Sequence, residues 1–299
     1  MPARFLLFKL IPNKTQFLGS EIKKVEYQSA KVVVIPVPYE CTTSYFKGTK
    51  LGPRKILAAS HQLENFDTEL NLKLPLTIFT LKELKFKYKK PEKDLLLIKS
   101  VVLAELENQK WPIILGGEHT ITGPIIAAFK EYYQENEFGM IHFDAHFDLR
   151  DVYSDTKNSH ATMLRRVRDQ IKKTLSVGIR SFSEAEKQHA LEENVLHILD
   201  KDLTLGIDFE SYLDQLPQNI YLTLDLDFFS LAIFPGVGTP VPGGLDWWAS
   251  LILIRKIFEV KNVIGLDVVE LCPKVESKIS SFNAAYLVAK CIAYKQINF

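Results

Sequence analysis

Short apolar runs rich in β-branched residues alternate with longer amphipathic stretches along almost the whole chain. Residues 32–37, 113–115, 139–143, 175–178, 195–199, 220–224 and 263–268 hold few polar positions, the pattern of strands buried on both faces. Residues 53–60, 93–109, 122–133, 183–193 and 246–260 show helical spacing, and 280–294 reads as a closing helix. Start signals accompany three of these: Pro91 ahead of Glu92, Ser183 with Glu186 three residues on, and Asp246 ahead of Trp247. Strands and helices in alternation predict an α/β fold, with a mostly parallel sheet covered on both sides. No linker or repeat interrupts the pattern, so a single domain over residues 1–299 is expected. The irregular stretches are 229–244, with three prolines and four glycines, and the polar segment 148–159. Long loops inside compact folds are commonly functional.

The 299 residues balance 37 Lys+Arg against 36 Asp+Glu, and 46% are hydrophobic. A chain of that size buries a large core without staples. Its near-neutral charge offers no footprint for coating nucleic acid or an anionic membrane, and neither is expected as a partner. Cys41, Cys272 and Cys291 are too few and too scattered for a disulfide framework, and read as core filling in a reducing compartment. The apolar run 5–8 is broken by Lys9 and followed by Pro12, so no signal peptide is expected. With no stretch of about 18 uncharged apolar residues to span a bilayer, a cytoplasmic protein is the expectation.

Candidate chemistry concentrates at the ends of the expected strands. Asp144, His146 and Asp148 occupy every second position after 139–143, and an extended backbone turns alternate side chains to one side. Asp225 and Asp227 repeat the spacing after 220–224, and Gly116-Gly117-Glu118-His119 follows 113–115. Open α/β sheets place their ligands at such C-terminal strand ends. One aspartate at a strand end is ordinarily a cap or turn residue. Five carboxylates and imidazoles in two alternating motifs gather charge that a cation must offset. The Asp- and His-rich, cysteine-free set points to a hard to intermediate divalent ion such as Mn²⁺. Together with His119 the six candidates suffice for two ions, and a pair about 3.5–4 Å apart activates water as a nucleophile. Hydrolysis is then the default chemistry. His142 falls out of phase and reads as a core or supporting residue, while His61, His189 and His197 carry no spacing signal. A GxGxxG after a strand, a P-loop and a GxSxG elbow are all missing from the sequence.

These residues resemble the motifs of the ureohydrolase family of arginases, agmatinases and guanidino-acid hydrolases, the agmatinases most closely. Residues 116–119 are similar to its Gly-Gly-Asp/Glu-His, 144–148 to its Asp-Ala-His-x-Asp, and 225–227 to its third motif. Pro38-Tyr39-Glu40 with Gly48 and Gly52-Pro53, Ser159-His160-Ala161-Thr162, Val177-Gly178-Ile179-Arg180, 235–244, and Asp267-Val268-Val269-Glu270 with Pro273 extend the likeness over nearly the whole chain.

The resemblance implies a three-layer α/β/α fold with a predominantly parallel eight-stranded sheet, a homo-oligomer (trimer or hexamer), two Mn²⁺ ions and release of urea from a guanidinium. It implies His119, Asp144, Asp148 and Asp225 around one ion, and Asp144, His146, Asp225 and Asp227 around the other. Glu270 matches the carboxylate that clamps the guanidinium, and His160 matches the histidine that shuttles protons. Asp148 would relay a proton to the leaving amine. Segment 149–155 looks like the agmatinase pattern, which makes agmatine the expected substrate and aminopropylagmatine the second. There Asp151 and Asp155 would balance an ammonium tail and Tyr153 would offer it an aromatic face. Arg150 favours a carboxylate tail unless an acid pairs with it. Guanidino-acid hydrolase or arginase activity is the nearest alternative, followed by a single-metal polyamine deacetylase and a non-catalytic binding protein. The chain departs from the family at Ser230-Leu231, where Asp-Pro is common, at Val241, where Glu is common, and at Ala161, where many members have Gly. These departures are expected to reshape the substrate rim and leave the metal ligands alone.

Overall fold

The computed structural model describes residues 13–19, 21, 25–74, 77–87, 91–133 and 137–297, so the apolar run 5–8 and the signal-peptide expectation lie outside the described residues. Among the described residues ten strands run β1 Val32–Val37, β2 Phe66–Asp67, β3 Leu72–Lys73, β4 Ile78–Thr80, β5 Trp111–Gly116, β6 Phe138–Phe143, β7 Thr174–Ile179, β8 Leu196–Leu199, β9 Asn219–Asp225 and β10 Asn262–Val269. The helices are α1 Gly52–Ser60, α2 Pro91–Glu107, α3 Thr122–Tyr133, α4 Met163–Arg168, α5 Glu184–Glu192, α6 Asp200–Leu203, α7 Phe209–Leu213, α8 Trp247–Val260 and α9 Ile279–Gln296. All seven expected strands and all six expected helices are present, with ends moved by at most two residues. Ser183 and Glu186 form a reciprocal capping box, and Asp246 accepts from the Ala249 N–H at 2.8 Å.

Eight strands form one sheet in the order β4-β1-β5-β10-β9-β6-β7-β8, every neighbouring pair parallel. The continuous apolar runs follow from burial on both faces. Along β1, Val32 and Val34 pack with α1, α8 and α9, while Val33, Ile35 and Val37 pack with α2, α3 and α4. The period of two therefore feeds two separate cores, which makes the three layers. Unforeseen elements are short: β4 and the β2–β3 hairpin hold strands of two or three residues, too few to show a pattern, and α4, α6 and α7 hold four to six residues each. No helix among the described residues is long and apolar enough to cross a membrane.

Four neighbouring central strands, β5, β10, β9 and β6, end at the same edge. They deliver Glu118 and His119, Glu270, Asp225, and Asp144 respectively. The chain leaves β5 through α3 and re-enters the sheet three places away at β6, and that gap in strand order opens a crevice at the C-terminal edge.

Far from that edge, Lys290 on α9 is buried, with Nζ 2.8 Å from Asp67 Oδ2 and paired also with Glu69. Arg255 of α8 and the Tyr294 hydroxyl hold the same Glu69, so the β2–β3 hairpin is tied to two helices by charge. Removing one partner of a buried pair strands the other. Lys290→Met is expected to destabilise the chain by about 3 kcal/mol, seen as a lower urea midpoint with unchanged metal content. An unshifted midpoint would show that the hairpin does not depend on this cation.

Candidate metal centre and active site

Local chain geometry aims each candidate ligand. A Cβ at Gly117 would lie 1.9 Å from the Tyr39 carbonyl oxygen, so only glycine lets the chain leaving β5 pass the exit of β1 and turn His119 inward. Strand β6 stops at Phe143, and Asp148 has φ 53°, in the left-handed region. Alternation along an extended segment is therefore not what brings Asp148 to Asp144: the chain bends, and the bend returns the carboxylate. Asp225 closes β9, and its Oδ1 accepts the Asp227 N–H at 2.9 Å, a tight turn that folds Asp227 back beside it. Arg180 donates to the carbonyl oxygens of Asp227 and Val241, clamping that turn to the 229–244 loop.

Two groups of side chains offer ligand atoms within 4.8 Å of one another: His119, His142, Asp144 and Asp148, and Asp144, His146 and Asp227. Asp144 is common to both. Asp225 joins the first through its Oδ2, 3.1 Å from His119 Nδ1, where Asp144 Oδ2 lies at 3.0 Å and Asp148 Oδ2 at 3.5 Å. On the other side, His146 Nδ1 lies 3.1 Å from Asp227 Oδ2 and 3.5 Å from Asp144 Oδ1. All six expected ligands thus meet in one cluster, and His142 supports it by a 2.8 Å hydrogen bond from Nε2 to Asp144 Oδ2.

The hydrogen bonds test whether a cation fits. Tyr221, Thr122 and Thr223 all donate hydroxyl protons to the buried Asp267 carboxylate, at 2.8, 2.9 and 2.6 Å. With its proton committed, Thr223 Oγ1 can only accept from His119 Nε2, 2.8 Å away. The lone pair of His119 must then sit on Nδ1, which is buried, surrounded by three carboxylates and without a hydrogen-bond partner. A nitrogen lone pair and carboxylate oxygens converging on one point is a donor set for a divalent cation, and the outer hydrogen bonds are those that orient such ligands.

Charge argues the same way. Burial, with the Asp144 charge added, pushes Asp148 well above the usual carboxylate range, and burial followed by Asp227 and Asp144 does the same to Asp225. Burial opposes charge on His119, yet the adjoining Asp144 and Asp225 carboxylates outweigh it and favour positive charge beside Nδ1, which is what a cation supplies. Positive charge among these carboxylates lowers the energy of the whole cluster. Glu270, also at a left-handed φ of 63°, is pushed up to about 8 by burial and the Glu118 charge, and its Oε1 accepts the His119 N–H at 2.7 Å. Burial and the nearby His146 and His119 push His160 down to about 4.

A cavity of about 290 Å³ opens over the cluster, lined by His119, His146, Asp148, Asp225, Asp227, His160 and Glu270, and by Ser44, Arg150, Tyr153, Ala161 and Glu186. The rim departs from expectation. Asp151 does not line the cavity; it pairs with Arg166 at 2.7 Å, and Asp155 is likewise absent from the lining. Arg150 does have an acidic partner, Glu186 at 3.7 Å, and its guanidinium lies 5.3 Å from the Tyr153 ring centre. Of the four residues that depart from the family pattern only Ala161 lines the cavity; Ser230, Leu231 and Val241 are not in its lining. Cys272 and Cys291 are buried as expected, whereas Cys41 is exposed.

Sequence reading missed Thr223, the supporting role of Asp267, and the second role of Glu186, which faces the cavity as well as capping α5. Thr223 and Asp267 carry a usable signal in retrospect, as polar residues inside runs that are otherwise apolar.

The fold and the cluster together define a metal-dependent hydrolase class, and comparison gives the family. The chain belongs to the arginase family, whose profile matches residues 30–293. It is 36% identical over 300 residues to the N(1)-aminopropylagmatine ureohydrolase of Synechocystis sp., covering 95% of this chain and 96% of that one. The crystal structure of an agmatine ureohydrolase of Thermoplasma volcanium superposes with a TM-score of 0.83 at 28% identity, covering 94% of each chain. A putative agmatinase from Clostridium difficile gives 0.83 at 32% identity, covering 91% of this chain and 99% of that one. This chain is accordingly a ureohydrolase of the agmatinase and aminopropylagmatine type, hydrolysing guanidino C–N bonds with metal.

Because Asp144 belongs to both ligand groups, Asp144→Asn is expected to lower bound metal at both positions, read by elemental analysis after equilibration with Mn²⁺. Full occupancy at both would remove Asp144 from its shared place. Thr223→Val keeps the shape but leaves His119 Nε2 without an acceptor, and should weaken metal binding by about 10–100-fold. Calorimetric titration with Mn²⁺ measures it, and wild-type affinity would show that the outer hydrogen bond is idle.

Proposed function

We propose that this chain holds two Mn²⁺ ions and releases urea from a decarboxylated guanidine with a cationic tail, agmatine or N1-aminopropylagmatine. The observation that carries this reading is one cavity that places Glu270 and His160 over the His/Asp cluster. His119, Asp144, Asp148 and Asp225 would hold one ion, and Asp144, His146, Asp225 and Asp227 the other. Two such ions supply Lewis acidity and a water activated at neutral pH.

The chain's own residues do the rest. A guanidinium is planar and resonance-stabilised, so it must be held flat and oriented before attack. Glu270 suits that task, with Oε1 fixed by the His119 N–H and Oε2 lying under Gly238, where a Cβ would stand 3.5 Å from it. A bound guanidinium would draw the Glu270 carboxyl back into its charged form and pair with it through two N–H groups. Asp148 would take the proton released by the nucleophile and pass it to the departing amine, while His160, held neutral by burial, would exchange protons between the cavity and solvent.

At the tail, Glu186 and the Tyr153 ring supply negative character on the cavity wall, and Asp151 and Asp155 have no part in it. A cationic tail fits that wall, and relatives that carry agmatine or aminopropylagmatine in their names support it. The second reading is a guanidino acid, favoured by Arg150 on the same wall.

Urea release by the Mn²⁺-loaded chain from agmatine, N1-aminopropylagmatine, arginine and guanidinobutyrate tests the assignment, since kcat/KM compares transition states directly. One of the first two is expected to be best. Preference for arginine or guanidinobutyrate would overturn the tail assignment and leave urea release standing.

A further inference from the structure

We propose that Thr42, anchored by Glu118, is a positioning residue that sets the ring of His160 against the cavity. The proposal rests on reading His160 as the proton carrier. Glu118 is fully buried and sits next to His119, yet its carboxylate points away from the metal cluster into the strap that follows β1. It accepts the backbone N–H groups of Cys41 and Thr42, both at 2.7 Å, and of Thr43 at 3.2 Å, together with the hydroxyls of Thr120 at 2.7 Å and Thr42 at 2.8 Å. The N–H groups can only donate, so Glu118 works here as an acceptor throughout.

Five donors on one carboxylate exceed what a surface loop needs for closure. The base of the strap is already closed by Glu40, whose Oε2 accepts the Gly48 and Lys50 N–H groups at 3.1 Å each. The Phe46 N–H adds a third tie, to the Gly238 carbonyl at 3.3 Å. What Glu118 adds is the placement of one hydroxyl. Thr42 Oγ1 spends its proton on Glu118 and turns its lone pairs to the 160 turn, where it accepts the His160 N–H at 3.2 Å and lies 3.4 Å from His160 Nδ1. On the other side of Nδ1 stands Ser159 Oγ at 3.3 Å. Nδ1 is thus bracketed by two hydroxyls, and Nε2 is left towards the cavity, near Ser44 Oγ at 3.2 Å. Backbone and ring of His160 are held by the same atom, and an imidazole that carries protons must present the same nitrogen at every turnover.

Thr42→Val preserves size and β-branching and removes the acceptor; Thr42→Ser restores it. Both are made in the wild-type chain and in His160→Asn, with metal content and melting temperature recorded, and urea release is followed with agmatine and with N1-aminopropylagmatine. Thr42→Val is expected to lower kcat by about tenfold or more, with KM within about twofold and metal unchanged. Thr42→Ser should return kcat to within about threefold of wild type, and in His160→Asn the valine should cost less than about twofold, because the two residues act as one unit. Glu118→Gln, which turns part of the acceptor into a donor, should behave as Thr42→Val and not add to it. Equal losses from Thr42→Val in both backgrounds, or loss of metal, would overturn the proposal. Wild-type turnover in His160→Asn would instead overturn the reading of His160 beneath it.

Discussion

Everything at the C-terminal edge of the sheet answers to the crowding of buried carboxylates. Asp144, Asp148, Asp225, Asp227 and Glu270 are all buried together there, with Glu118 buried next to His119. Most are arranged alike: one oxygen takes a backbone N–H and the other faces the neighbours. Asp144 Oδ1 accepts from His146 at 2.5 Å, Asp225 Oδ1 from Asp227 at 2.9 Å, Asp227 Oδ1 from Ala145 at 3.1 Å, and Glu270 Oε1 from His119 at 2.7 Å. The backbone bonds meet half of each group's solvation and fix its rotamer, and the remaining oxygens form a charged lining that a divalent cation stabilises. Parallel strands suit this design. Their C-terminal turns expose N–H groups that the sheet does not use, and four adjacent strands bring those turns within ångströms of each other.

The strands were legible because burial on both faces removes polar residues from them, which is a strong local signal. Strand β4 was not, since its three residues at a sheet edge, Ile78–Thr80, though buried, are too few to show a pattern in the chain. The ligand cluster was legible for a different reason, as charge where an apolar run stops. Its local geometry was not. Asp148 comes round through a left-handed residue, and Asp227 through a turn built on Asp225, conformations that spacing alone does not specify. The Asp267, Thr223 and His119 chain lay still further out of reach, because it joins β10, β9 and the turn after β5, residues up to 148 apart (267 − 119) whose contact exists only once the sheet has formed.

The cavity rim was harder to read than the His/Asp cluster, and its ion pairs show why. The candidate ligands stand at or just past strand ends held by two cores, whereas 149–159 is a loop whose charges choose among several neighbours. Asp151 chose Arg166, and Arg150 took Glu186, a residue whose obvious role was to cap α5. Side-chain identity in such a loop fixes the charges present and leaves open which of them face inward.

That contrast also bears on how the centre tolerates change. Ser230, Leu231 and Val241 depart from the family pattern, yet none lines the cavity; the Val241 carbonyl still accepts from Arg180, which at the same time grips the Asp227 carbonyl. A backbone acceptor serves whatever side chain stands on it, so replacement there leaves the turn that carries Asp227 in place. Ala161 is different, because its side chain belongs to the cavity wall beside His160. The His/Asp cluster is thus insulated by backbone bonds from substitutions in the loops around it, and a single methyl group next to His160 is the departure with direct access to the cavity.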